Sequence, residues 1–99
     1  MIKHVVAWLI KDTVNTKEEN IQQLKQMLEA LPWQISQLNS LEVGINFNSS
    51  KNSYDIILIT SFDSIDDMNI YRNHPEHKKV VDFLNNITDK VIVVDYKTE

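Results

Sequence analysis

Residues 41–62 read LEVGINFNSSKNSYDIILITSF, and the fold turns on this segment. Leu41, Val43, Ile45 and Phe47 alternate with Glu42, Gly44 and Asn46, the period-two pattern of a strand buried on one face. Asn48, Ser49, Ser50, Lys51, Asn52 and Ser53 form a turn by composition. Tyr54 to Phe62 is a further strand, apolar on both faces, with Tyr54, Ile56, Leu58 and Phe62 on one and Ile57 and Ile59 on the other. Two strands flanking so short a turn predict a hairpin.

Upstream of the hairpin the pattern is helical. Thr16-Lys17-Glu18-Glu19 fits a capping box, in which the threonine accepts from a first-turn amide and Glu19 reaches back. Ile21, Leu24, Leu28 and Leu31 follow at helical spacing with Met27 beside them, and Pro32 is expected to end the helix at about Leu31. Residues 33–40 then read as a connection whose Trp33, Ile35 and Leu38 turn inward. Before that helix, Ile2 to Ile10 is a strand, almost wholly apolar, joined to the helix by polar residues 11–15. Downstream of the hairpin, Ser64 with Asp67 marks a helix start running to about Arg72, and Pro75 suits the first turn of a second helical segment carrying Val80, Val81, Phe83, Leu84 and Ile87. Val91 to Tyr96 is the last strand, apolar on both faces apart from Asp95.

The order is therefore β-α-β-β-α-β, an α+β chain of ferredoxin-like type. Its four strands form one antiparallel sheet, with the helices on one side. A single domain spanning residues 1–99 is expected, since no linker, low-complexity tract or composition break interrupts the chain. One consequence concerns the other side of the sheet. The strands at 2–10, 54–62 and 91–96 carry apolar residues there, where the helices do not reach, and monomers seldom expose apolar patches beyond a few hundred Å². A second copy packed sheet to sheet solves this. A homodimer is expected, with Val5, Ala7 and Leu9, and Ile92 or Val94, at or near the contact.

Composition narrows the function classes. Net charge is −4 and the basic residues are scattered, with only Lys78 and Lys79 adjacent. No basic stripe is present to replace phosphate counterions, so nucleic acid is not an expected partner. The absence of cysteine removes disulfides, thiolate nucleophiles and thiolate metal sites. No apolar run approaches the roughly 18 residues of a membrane span, and the N-terminus lacks the features of a signal peptide, so a soluble, cytoplasmic protein is expected. A single glycine rules out GxGxxG and phosphate-loop motifs, and no cofactor is expected.

Several stretches resemble the stress-responsive dimeric α/β-barrel (Dabb) family. They are Ile2-Lys3-His4-Val5-Val6, Leu41-Glu42-Val43-Gly44-Ile45-Asn46, Tyr54-Asp55-Ile56-Ile57-Leu58 and Val93-Val94-Asp95-Tyr96. The most specific is Tyr71-Arg72-Asn73-His74-Pro75-Glu76-His77-Lys78, which looks like the family's Tyr-x-x-His-Pro-x-His signature. The resemblance covers the whole chain in order. It implies a dimer whose two sheets close into an α/β barrel. Many members are uncharacterised or linked only to stress responses, and that is the first function reading, with a small-molecule ligand as part of it. The second comes from a plant branch that includes a cofactor-free polyketide cyclase, in which the tyrosine and second histidine of the signature are the acid–base pair. By that resemblance the roles fall on Tyr71 and His77, with His4 matching a histidine of the pocket. The third reading, an oxygenase like other dimeric α/β-barrel proteins and haem-linked in some form, rests on fold analogy alone.

Each candidate residue also has a purely structural reading. His77 has the right chemistry for a base near neutrality, and Tyr71 for a donor to a forming enolate, yet a half-buried histidine tying two helical segments together would look the same in sequence. His4 shares a strand face with Val6 and Trp8. These three are the expected lining of a ligand pocket, unless the bulk of Trp8 fills it. His74, just before Pro75, is expected to serve a helix end. His74 and His77, with Glu76 and His4, have metal-ligand spacing, but two histidines and a proline do not make a zinc site, and no metal is expected.

Overall fold

A computed structural model describes residues 1–98. Its elements are β1 (Ile2–Ile10), α1 (Lys17–Glu29), α2 (Leu31–Gln34), β2 (Ser40–Ile45), β3 (Ile56–Phe62), α3 (Ile65–Asn73), α4 (Pro75–Ile87) and β4 (Thr88–Lys97). The four strands form one antiparallel sheet in the order β2-β3-β1-β4, which is the ferredoxin-like arrangement. β1 lies at the centre, with β3 on one side and β4 on the other.

Pairing register fixes which side chains share a face. His4 sits opposite Thr60 on β3 and Asp95 on β4; Val6 sits opposite Leu58 and Val93. Because side chains alternate along a strand, Ile2, His4, Val6, Trp8 and Ile10 all point to the helical side, and all five are buried. Leu24, Leu28 and Leu31 come down on them from the helical layer, together with Tyr71 and Val80. Each such leucine contributes about 1.5–3 kcal/mol on burial. The opposite face carries Val5, Leu9, Ile57, Ile59, Ile92, Val94 and Tyr96, and the last three are about half exposed (49%, 56% and 46%).

The helix starts are built as the sequence indicates. Thr16 Oγ1 accepts from Glu19 N at 3.2 Å while Glu19 Oε1 accepts from Thr16 N at 3.0 Å, a complete capping box. Ser64 Oγ caps α3 through Asp67 N.

Three local expectations give way. Pro32 does not close the first helix; α1 ends at Glu29, and Pro32 lies in the opening turn of α2, where its missing N–H costs nothing. Trp33 does not turn inward. Leu31 and Ile35, four residues apart, take the buried side of that turn, and Trp33 between them is 92% exposed. The hairpin strands are shorter than the alternating pattern implies. β2 stops at Ile45 and β3 starts at Ile56, so Phe47 is fully exposed and Tyr54 lies outside the ladder. Just before β3, the Asp55 carboxylate accepts from Ile10 N at 2.8 Å and pairs with Lys17 at 3.1 Å, its N–H donates to Trp8 O, and its carbonyl accepts from Asn46 N. Residues 46–55 form the connecting loop, closed at its base by the Asn46–Asp55 backbone bond. β4, by contrast, is longer than expected at both ends, and every residue from Ile2 to Ile10 has a partner on it.

Candidate functional site

The Tyr-x-x-His-Pro-x-His segment spans the junction of α3 and α4. His74 closes α3 and opens α4: its Nδ1 accepts from Glu76 N at 3.1 Å, so its ring is committed as a cap. Tyr71 lies one turn before this junction and His77 one turn after it. The tight turn brings their rings together, with centroids 4.5 Å apart and planes tilted by 52°. Phe62 on β3 packs against the other side of Tyr71 at 5.0 Å.

Both residues border a cavity of about 340 Å³ between the helices and the sheet. His4, Val6 and Trp8 of β1 form its floor with Leu58 of β3; Leu28, Val80, Val81 and Leu84 form its apolar walls, and Arg72 and Val93 lie at the side of β4. Trp8 therefore lines the space rather than filling it. The five expected catalytic and pocket residues, Tyr71, His77, His4, Val6 and Trp8, line this one cavity, and His74 does not.

The polar groups are unevenly satisfied. Tyr71 is fully buried, and its hydroxyl has no hydrogen-bond partner among the described residues. Burial pushes the phenol well above its ordinary pKa, so it stays protonated and serves as a donor. His77 Nδ1 lies 3.1 Å from the Arg72 carbonyl, an acceptor-only partner. Nδ1 therefore carries the proton and donates, which leaves Nε2 of the neutral ring as an acceptor. Desolvation lowers the His77 pKa below the usual imidazole value. The bond to the Arg72 carbonyl opposes this, and electrostatic interaction with His4, Arg72 and His74 reinforces it. The neutral, proton-accepting form is thus favoured.

His4 is held from the other side. Its Nδ1 meets Asp95 Oδ1 across the β1–β4 ladder, and Asp95 Oδ2 accepts from Arg72 Nη2 at 2.9 Å. One carboxylate thereby ties β1, β4 and α3 together at the polar end of the cavity. Neither Asp95 nor Arg72 stands out as a site residue in the sequence. The available signal was Asp95 itself, the single acid in an otherwise apolar run from Val91 to Val94 and Tyr96. Among the described residues, no cluster of three or more His, Cys, Asp or Glu side chains is arranged to hold a metal ion. No helix among them is long and apolar enough to cross a membrane.

Residues 2–98 match the stress responsive A/B barrel domain, Dabb. The chain belongs to this family. A dimeric protein of unknown function with a ferredoxin-like fold, from Bacteroides fragilis, is 33% identical to this Dabb chain. The two superpose with a TM-score of 0.85 over 98% of this chain and 95% of that one. A protein from Arabidopsis thaliana is 27% identical, with a TM-score of 0.84 over 100% and 96%. The hydroxynitrile lyase of Passiflora edulis shares the fold at 14% identity, with a TM-score of 0.83 over 99% and 93%. No curated protein matches the chain in sequence. The signature histidines and tyrosine of this Dabb chain thus sit in a fold whose solved examples include proteins of unknown function and a lyase.

Proposed function

We propose that this Dabb protein is a homodimer that binds a small molecule in the cavity bounded by His4, Tyr71 and His77. The observation that carries the reading is the 340 Å³ space itself, lined by His4, Tyr71 and His77 and walled by apolar side chains, beside which the Tyr71 hydroxyl is buried without a partner. An unsatisfied buried hydroxyl costs about 1–3 kcal/mol, a cost that a ligand acceptor or a bound water removes. The space equals about eleven waters at roughly 30 Å³ each, the lower end of the range for small-molecule sites. Sheet-to-sheet dimerisation completes the proposal, because Ile92, Val94 and Tyr96 leave an apolar stripe on the open face that the described helices do not cover. Dimeric relatives support it. A cytoplasmic setting fits a chain without cysteine.

A second reading, proton abstraction beside a carbonyl, is favoured by the pairing of a neutral His77 with a protonated Tyr71. His77 Nε2 would take the carbon-bound proton while the Tyr71 O–H donates to the enolate oxygen, and reversal returns the proton. Incubation with phenylacetone in D2O, followed by proton NMR, tests both readings. Exchange faster than in buffer, abolished by His77→Asn and by Tyr71→Phe, supports the proton-transfer reading. Ligand-induced shifts of the His77 ring without exchange leave a binding protein and remove the chemistry. Neither shifts nor exchange with this ketone or with a set of enolisable carbonyl compounds of similar size removes both.

A further inference from the structure

Resting on the reading of the cavity as a ligand site, we propose that Arg72 makes that site selective for a ligand carrying a carboxylate on an apolar body. The polar groups at the cavity are His4, Tyr71, Arg72 and His77, and no acidic side chain lines it. A chain of net charge −4 therefore presents to this cavity only imidazoles, a phenol donor and a guanidinium. The nearby acid, Asp95, is divided between two partners, His4 through Oδ1 and Arg72 through Oδ2. It touches the guanidinium through Nη2 alone, at 2.9 Å. A guanidinium has five N–H donors arranged to meet a carboxylate in parallel, so one such contact leaves donors for a second anion.

Position supports the same conclusion. The Arg72 side chain is 43% exposed, and Val93 beside it is 51% exposed, so this is where the cavity opens to solvent. An amphipathic acid entering between α4 and β4 places its apolar part against Val6, Trp8 and Leu58 and leaves its head at Arg72. Arg72 acts here as a specificity residue and takes no part in bond making.

The test compares octanoate with octanamide, which share a body and differ in charge, by calorimetric titration of the full chain. Trp8 emission in a Trp33→Phe background locates the binding, because the chain has two tryptophans and Trp33 is solvent-exposed. We expect octanoate to bind about tenfold or more tightly than octanamide, the scale of a charge-assisted hydrogen bond. Arg72→Gln should bring octanoate down to the octanamide level while leaving octanamide unchanged. Asp95→Asn, which removes the competing carboxylate at constant shape, should raise the preference for octanoate. Equal binding of the two probes to the wild-type chain overturns the role of Arg72 and leaves the cavity a ligand site. So does a preference that survives Arg72→Gln or falls in Asp95→Asn. Failure of both probes to perturb Trp8 overturns the ligand-site reading and the selectivity with it.

Discussion

The Tyr71 and His77 rings lie 4.5 Å apart between centroids, although a helix end, a proline and a new helix start intervene between them in the chain. His74 makes this approach possible by capping α4 at the point where α3 ends, so that only one residue separates the two helices. The pair is therefore positioned by backbone geometry, with no hydrogen bond between the two side chains. His77 Nδ1 is taken up by the Arg72 carbonyl, while the Tyr71 hydroxyl has no partner among the described residues.

That freedom has a stability consequence. Tyr71→Phe removes a buried hydroxyl that has no partner among the described residues and keeps the ring against Phe62 and His77. The variant should be more stable than the parent by about 1 kcal/mol in denaturant titration, the lower range for an unsatisfied buried polar group. It should also bind cavity ligands less tightly. A variant less stable than the parent would show that the hydroxyl is already satisfied in the free protein.

His77 should respond to acid in a defined direction. Its folded pKa is below the ordinary value of 6.5, chiefly through desolvation, so the unfolded chain takes up the proton first as pH falls. The stability linked to His77 is thus present above about pH 6.5 and is lost as pH falls toward the folded pKa. NMR titration of the His77 ring should give a midpoint below 6.5. His77→Asn should reduce the loss of stability between pH 7 and pH 5.

The apolar stripe on the open face predicts the effect of charge. Val5 pairs with Val94 and Ala7 with Ile92 across β1 and β4, on the side away from the helices. Val5→Asp combined with Leu9→Asp should yield monomers or insoluble protein in analytical ultracentrifugation. A soluble dimer of the double variant would place the subunit contact elsewhere.

The two tryptophans should behave oppositely. Trp8 is 5% exposed in the core beside the cavity, and its replacement by alanine should cost about 3–5 kcal/mol. Trp33→Ala at 92% exposure should change stability by no more than about 0.5 kcal/mol. Thermal or denaturant unfolding of both variants makes the comparison directly.

Local patterns in the sequence were enough for the order of elements, the faces of β1 and the helix caps at Thr16 and Ser64. These follow from period-two and helical spacing and from side chains that bond to amides three residues away. The Tyr71, His77 and His4 site was legible only as a family resemblance, since spacing along the chain does not say whether residues on β1, α3 and α4 meet. Tertiary structure decided the rest. Asp95 and Arg72 are 23 residues apart, and Asp95 is 91 residues from His4, so their network exists only once β4 pairs with β1 in its observed register. The same holds for the loop at 46–55. Asp55 at its end bonds Ile10 and Lys17, partners that no periodicity within the hairpin could reveal. Whether Trp8 fills the interior or borders a cavity was likewise settled by the packing of three helices and a sheet around it.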